Sequence, residues 1–191
     1  MKHIIAFVFL FASFVNAQQS NPWRVDKNHT SVGFTVTHMV ISEVAGWFRD
    51  FDIAVNATKD DFSDATFEAT LKVDSIDTGN ARRDGHLKAD DFFNAARFPV
   101  VTFKSTAVEK AGENHYAIIG DLTIRDVTKS VRWDAELKGI VKGARTTTAA
   151  WKATLSINRF DYNLKWDRTM DSGGLVAGEA VRVTVVCELQ R

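Results

Sequence analysis

The sequence is poor in residues that interrupt or cross-link a chain. It contains two prolines and one cysteine, Cys187, among 191 residues. A lone cysteine cannot form an internal disulfide, so the stability of the fold must come from its core. Few prolines, together with 14 phenylalanines and 5 tryptophans, favour long uninterrupted β-strands.

Apolar runs long enough to form a membrane-spanning helix, and an excess of one charge, are also absent. Residues 4–15 are almost wholly apolar, follow a short basic start and end close to the small residue Ala17. This pattern predicts a cleaved secretory signal over residues 1–17 and one mature domain over residues 18–191, outside the cytoplasm. No later stretch approaches the roughly 20 apolar residues of a membrane helix. Basic and acidic residues balance at 24 each, which argues against a nucleic-acid partner.

Most of the mature sequence alternates apolar and polar residues. This period of two is typical of antiparallel strands with one buried face. Runs of this kind begin at Val32, Phe51, Phe67, Val101, Tyr116, Val131, Ala149 and Val181. About eight such strands predict an all-β fold, an eight-stranded antiparallel barrel, because closure removes the exposed edges of an open sheet.

Two segments depart from the alternation. Residues 39–48 place apolar side chains at roughly helical spacing, with Ser42 as a candidate cap, and residues 82–93 place two phenylalanines behind a charged run. Each segment is predicted to be a short helix or a turn between strands.

Few residues could carry chemistry. Cys187 lies on the apolar face of the last predicted strand and is interpreted as a small buried hydrophobe. The histidines at 29, 38, 86 and 115 stand singly, without the paired spacing of a metal site, so no metal is predicted. Asp84 and His86 lie in the densest titratable cluster, but no nucleophile or oxyanion donor is near them. We therefore interpret the cluster as structural and predict no catalytic residue.

The predicted lumen leaves two alternatives open. An eight-stranded barrel has room for packed side chains or for one slender ligand. Small residues expected to face inward, such as Ala107 and Ala153, are mixed among large ones such as Trp133 and Trp151. This mixture is compatible with both a filled and a hollow barrel.

A series of short motifs resembles the YceI-like family. The motifs follow the family's order from Trp23 to Leu189, which is nearly the whole mature chain. They include Asp26-x-x-His29-Thr30, Phe34-x-Val36-x-His38, Gly46-x-Phe48, Ser75-Ile76-Asp77-Thr78, Asp84-Gly85-His86-Leu87, Phe103-Lys104-Ser105-Thr106, Gly120-Asp121-Leu122-Thr123-Ile124 and Ile157-Asn158-Arg159-Phe160-Asp161.

The resemblance implies a lipocalin-like periplasmic barrel with one or two short helices. It implies that a polyisoprenoid or isoprenoid quinone is held in the lumen as a ligand, with no cofactor and no catalytic residue. The motif match gives Phe34, Val36, His38, Phe48 and Phe103 as expected lining residues, and position and alternation add Phe51, Trp133 and Trp151.

Rival functions and further partners stay open at this point. One rival is an enzyme that acts on an isoprenoid or quinone through Asp84 and His86. The other is a stress-related protein whose filled barrel holds no ligand. Transient membrane contact for lipid exchange and a homodimer are further partner hypotheses.

Two substitutions distinguish this chain from the family pattern. Asp126 and Asn163 replace glycines of family turns, while Thr30 keeps the hydroxyl of the usual serine. Asp and Asn tolerate left-handed backbone better than other non-glycine residues. The turns are therefore expected to survive, while the loops at the cavity mouth, and with them ligand preference, are expected to differ.

Overall fold

The computed structural model describes residues 22–171 and 173–191, so the predicted signal over residues 1–17 lies outside the described residues. The described part contains ten strands and one α-helix. They are β1 (Pro22–His38), β2 (Ser42–Phe48), β3 (Phe51–Asn56), β4 (Thr66–Lys72), β5 (Ile76–Asp77), α1 (Ala81–Leu87), β6 (Val100–Lys110), β7 (His115–Ile124), β8 (Val127–Lys142), β9 (Thr147–Asn158) and β10 (Ala177–Gln190). Short 3-10 turns occupy Val73–Ser75 and Arg159–Tyr162.

Eight of the strands form a closed antiparallel barrel. Their order around the barrel is β1, β3, β4, β6, β7, β8, β9 and β10, and β10 pairs back onto β1. The two short strands β2 and β5 are additional: β2 pairs with β1, and β5 with β2. The predicted eight-stranded antiparallel barrel is confirmed.

The prediction of a short helix or a turn over residues 39–48 is correct for the turn at residues 39–41 and wrong for Ser42–Phe48. A tight turn follows β1, and the segment returns as strand β2, with Phe48 paired to Val32. Val44 and Phe48 satisfy a period of two as well as a helical spacing, so apolar positions alone did not distinguish the two structures. The adjacent strand decides the outcome, because β2 completes its backbone hydrogen bonds along β1.

The second departing segment does contain a helix. The Asn80 side chain caps α1 by accepting a hydrogen bond from the Arg83 backbone N–H at 3.1 Å. The helix ends at Leu87, and the chain continues as turns rather than as helix to residue 93. Among the described residues, no helix has the length and apolarity needed to cross a membrane.

Aromatic side chains close one end of the barrel, which we call the packed end. Phe62 lies 5.1 Å from both Trp23 and Trp151, measured between ring centroids, and Tyr116 lies 5.1 Å from Trp151. The Tyr116 hydroxyl donates a hydrogen bond of 2.7 Å to the Asp61 carbonyl. This bond ties the loop between β3 and β4 across the packed end.

A β-bulge reverses the alternation within β6. The pairing with β7 shifts between Ser105 and Ala107. A bulge inserts one extra residue, so the side chains beyond it change faces. Val108 therefore packs against the core, and Ala107, which was expected to face inward, is exposed.

Candidate ligand-binding cavity

The barrel is hollow above the packed end. It encloses a cavity of about 640 Å³, within the size range of small-molecule sites in proteins. Phe34, Phe67, Phe103 and Val183 line this cavity and are only partly buried, because one side of each faces open space. A filled barrel does not agree with this interior.

Six of the eight predicted lining residues lie on the cavity wall, and two do not. Trp151 points inward but belongs to the packed end, where it meets Phe62. Phe51 is buried in the core at the start of β3, while Ile53 on the same strand lines the cavity. Alternation identified the inward face, but not the height of a residue along the barrel axis. The six on the wall are Phe34, Val36, His38, Phe48, Phe103 and Trp133.

Many lining residues were not predicted. Those on strands belong to the alternating runs and could have been found from the period of two; they include Phe67, Leu71, Leu122, Ile157, Val181, Val183 and Val185. Those at the end of α1 and on loops have no periodic signal, because only the closed barrel brings them over its mouth; they include Leu87, Phe93, Leu164 and Trp166.

The structure explains why the Gly46-x-Phe48 motif begins with glycine. A Cβ atom at this position would lie 2.4 Å from Cζ of Phe34, which is far inside van der Waals contact. Glycine therefore lets the Phe34 ring approach β2 closely. The ring stands 6.1 Å from that of Phe48, which is in turn 6.1 Å from Phe93. The three rings form a continuous aromatic wall.

Thr78 fixes α1 at the mouth of the cavity. Its hydroxyl donates to Oδ1 of Asp84 at 2.5 Å and accepts from Nε of Arg83 at 2.8 Å. Arg83 also donates to the Thr78 carbonyl at 2.9 Å. The rim beside this clamp includes the exposed residues Asn80 and Arg82, so the cavity reaches the surface here.

Asp84 and His86 do not form an acid–base pair. Asp84 accepts both the hydroxyl and the backbone N–H of Thr78. Nε2 of His86 is 2.9 Å from Oδ2 of Asp91, and its ring packs against Phe92 at a centroid distance of 5.0 Å. The two side chains have different partners, which agrees with the structural interpretation of this cluster.

Arg159 contributes a buried cation to the cavity wall. Only 3% of its surface is exposed, and burial lowers the pKa of the guanidinium. It donates hydrogen bonds to the carbonyls of Leu164 at 2.7 Å, Gly178 at 2.9 Å and Ala177 at 3.0 Å. These bonds tie the 3-10 turn after β9 to the start of β10.

The two substituted family glycines meet in the structure. Asn163 adopts left-handed backbone, with φ 60°. Its side-chain amide donates to Oδ1 of Asp126 at 3.2 Å and lowers the pKa of that carboxyl. In the neighbouring turn the left-handed residue is Arg125 rather than Asp126. The expectation of left-handed backbone therefore applies to Asn163 but not to Asp126.

A small polar cluster lies outside the cavity. His29 Nδ1 is 2.9 Å from Asp26 and 3.8 Å from Glu188. The hydrogen bond to Asp26 raises the pKa of His29 and lowers that of Asp26. Among the described residues, these three are the group whose ligand atoms approach closely enough for a metal ion. Exposure and mutual hydrogen bonding account for the cluster, and we assign no ion to it.

A closed antiparallel barrel with an apolar interior and a polar rim defines a class of protein that can enclose one elongated apolar ligand. The model of the YceI-like domain matches residues 23–189. The chain belongs to this family, as its motifs indicated.

Relatives and solved structures agree with this assignment. UPF0312 protein SA2479 of Staphylococcus aureus strain N315 is 35% identical over 167 residues, 85% of this chain and 94% of the relative. The YCEI protein of Campylobacter jejuni has a TM-score of 0.70 at 30% identity, covering 88% of this chain and 96% of that one.

Two more distant structures share the fold. BcnA of Burkholderia cenocepacia has a TM-score of 0.74 at 23% identity, covering 86% of this chain and 99% of that one. A polyisoprenoid binding domain from Saccharophagus degradans has a TM-score of 0.60 at 15% identity, covering 88% and 97%.

Proposed function

We propose that this protein binds one long-chain polyisoprenoid or isoprenoid quinone in the barrel cavity and carries or stores it in the periplasm without altering it chemically. The supporting observation is the 640 Å³ cavity with its wall of aromatic and aliphatic side chains. Family membership and the name of the Saccharophagus domain agree with this ligand class.

Burial of the lipid tail supplies the affinity. Each methylene group transferred from water to an apolar environment is worth about 0.8 kcal/mol. A polyprenyl chain therefore needs few polar contacts, and the cavity selects mainly for its length and width. The tail would extend toward Trp133 and the packed end.

The head group would remain at the rim. Asn80, Arg82 and Arg83 lie there and carry N–H groups that can donate to head-group oxygens. The Thr78 clamp holds Arg83 in place. A quinone carbonyl or another oxygen-bearing head group suits these donors, whereas the deeper wall offers mainly hydrocarbon contact.

Native mass spectrometry of detergent-free protein, purified from the exported fraction, tests the proposal. A stoichiometric polyisoprenoid or quinone, identified after organic extraction, is the expected result. An empty protein that added isoprenoids do not stabilise against heat would contradict it.

A second experiment tests whether the protein alters its lipid chemically. His86→Ala should retain the same lipid, and lipid recovered after incubation with the wild type should be chemically unchanged. A product formed by the wild type and lost in His86→Ala would show an enzyme instead.

A further inference from the structure

Three consecutive apolar residues project from the turn between β1 and β2. Met39 is 43% exposed, Val40 68% and Ile41 86%. Single exposed apolar side chains are normal on a protein surface, but adjacent ones at the tip of a hairpin form a continuous apolar projection. We call residues 39–41 the apolar tip.

The backbone of the apolar tip is unfavourable for the residues that occupy it. The Ile41 N–H donates to the His38 carbonyl at 3.2 Å and closes a four-residue turn. Its two central residues both have positive φ, 50° for Met39 and 67° for Val40. Asn-Gly fits such a turn best, and a β-branched residue with positive φ is a strained outlier. Folding stability alone therefore does not explain Met39 and Val40.

The apolar tip lies at the mouth of the cavity. Val36 and His38, just before the tip, and Val44, just after it, all line the cavity. If Gly174 carried a Cβ atom, that atom would lie 3.3 Å from Cγ2 of Val40. The apolar tip therefore also packs against the loop before β10. Strand β1 thus continues directly from the ligand-lining wall to an exposed apolar end.

We propose that the apolar tip inserts into a phospholipid bilayer and docks the cavity mouth onto the membrane, where the isoprenoid enters and leaves. This inference rests on the proposed function. An isoprenoid cargo is insoluble in water and resides in membranes, so the mouth must approach a bilayer for exchange. Apolar side chains at an interface bind it in proportion to the area they bury.

The double replacement Met39→Asn with Val40→Gly separates docking from folding. It gives the turn the residues that its backbone favours, so the melting temperature should be equal to or above that of the wild type. Flotation with phosphatidylcholine vesicles, with and without phosphatidylglycerol, should show binding reduced about tenfold, because two of the three apolar side chains of the tip are removed. The rate of quinone transfer from labelled vesicles should fall with it.

Val141→Ser is the matched control. Val141 is 71% exposed, and the adjacent Lys142 forms an ion pair with Asp60 in the loop at the packed end. Removing this apolar side chain should change neither vesicle binding nor transfer. If the variant with Met39→Asn and Val40→Gly binds vesicles and transfers quinone as the wild type does, the inference is overturned.

Lipid content separates this inference from the function on which it rests. Native mass spectrometry should find the same bound lipid in the wild type and in the variant with Met39→Asn and Val40→Gly. Lipid present in both, with equal transfer rates, would refute the docking role alone, whereas no lipid in either would refute the proposed function. A wild-type dimer that the variant converts to monomers would instead identify the tip as a self-association surface.

Discussion

Replacing Ala153 by phenylalanine should shorten the cavity while leaving the barrel folded. Ala153 lies on β9, two residues from Trp151 of the packed end, and its side chain lines the cavity. Its strand neighbours are Ala135 on β8 and Val185 on β10. A phenyl ring at this position would extend into open space rather than into packed atoms.

The expected loss of affinity follows from the displaced part of the ligand. If the ring excludes one isoprene unit of five carbons, about 0.8 kcal/mol for each gives a loss of roughly 4 kcal/mol for a chain that fills the cavity. This corresponds to roughly a thousandfold weaker binding. A chain one unit shorter should bind Ala153→Phe about as well as it binds the wild type.

Binding of isoprenoid quinones of increasing chain length, followed by quenching of tryptophan fluorescence, measures this effect. Trp133 lies on the cavity wall and is suited to report occupancy. The melting temperature of Ala153→Phe should be equal to or above that of the wild type, since the added ring fills a void.

Ala149→Phe is the control for this experiment. Ala149 is 0% exposed in the core, so a ring there overpacks the structure by about 1–3 kcal/mol. Its chain-length preference should nevertheless remain that of the wild type. Unchanged binding of the longest quinone by Ala153→Phe would refute the position of the tail.

Two further predictions concern stability. Burial raises the pKa of Cys187 from 9.0 to about 11. The thiol therefore loses its proton at a lower pH in the unfolded chain than in the folded protein. The free energy of unfolding should fall by on the order of 2–3 kcal/mol as the pH rises from about 9 to about 11. Urea unfolding at several pH values should show a shallower decline for Cys187→Ala, and equal slopes would contradict this. Arg159→Ala should lower the free energy of unfolding by about 3 kcal/mol, because three carbonyls lose their donor. A loss below about 1 kcal/mol in the same assay would contradict this prediction.

The sequence was sufficient to predict the barrel strands, since one face of each strand is buried and the other is exposed to solvent. Prediction from the sequence failed where the local structure depends on which strand lies alongside. Residues 39–48 fit two periodicities, and only the presence of β1 beside them selects a strand. The bulge at Ser105 carries no clear sequence signal, so the face of Ala107 was predicted incorrectly.

Only some of the residues that line the cavity could be predicted from the sequence. Alternation gives the direction of a side chain, but not its height, which depends on strand tilt and on how the ends are closed. Trp151 faces inward and still misses the cavity, because Phe62 enters from a loop and occupies the space beside it. Trp166 lines the cavity from a loop whose position follows from the completed barrel.

Pairing of the first and last strands imposes an order of events on this protein. Val25 faces Leu189 and Val36 faces Val181 along the β1–β10 seam. Until the final strand has emerged from the ribosome, this seam is open and the cavity lacks one wall. Under the proposed function, a lipid can therefore be fully enclosed only after β10 has been synthesised and has paired with β1.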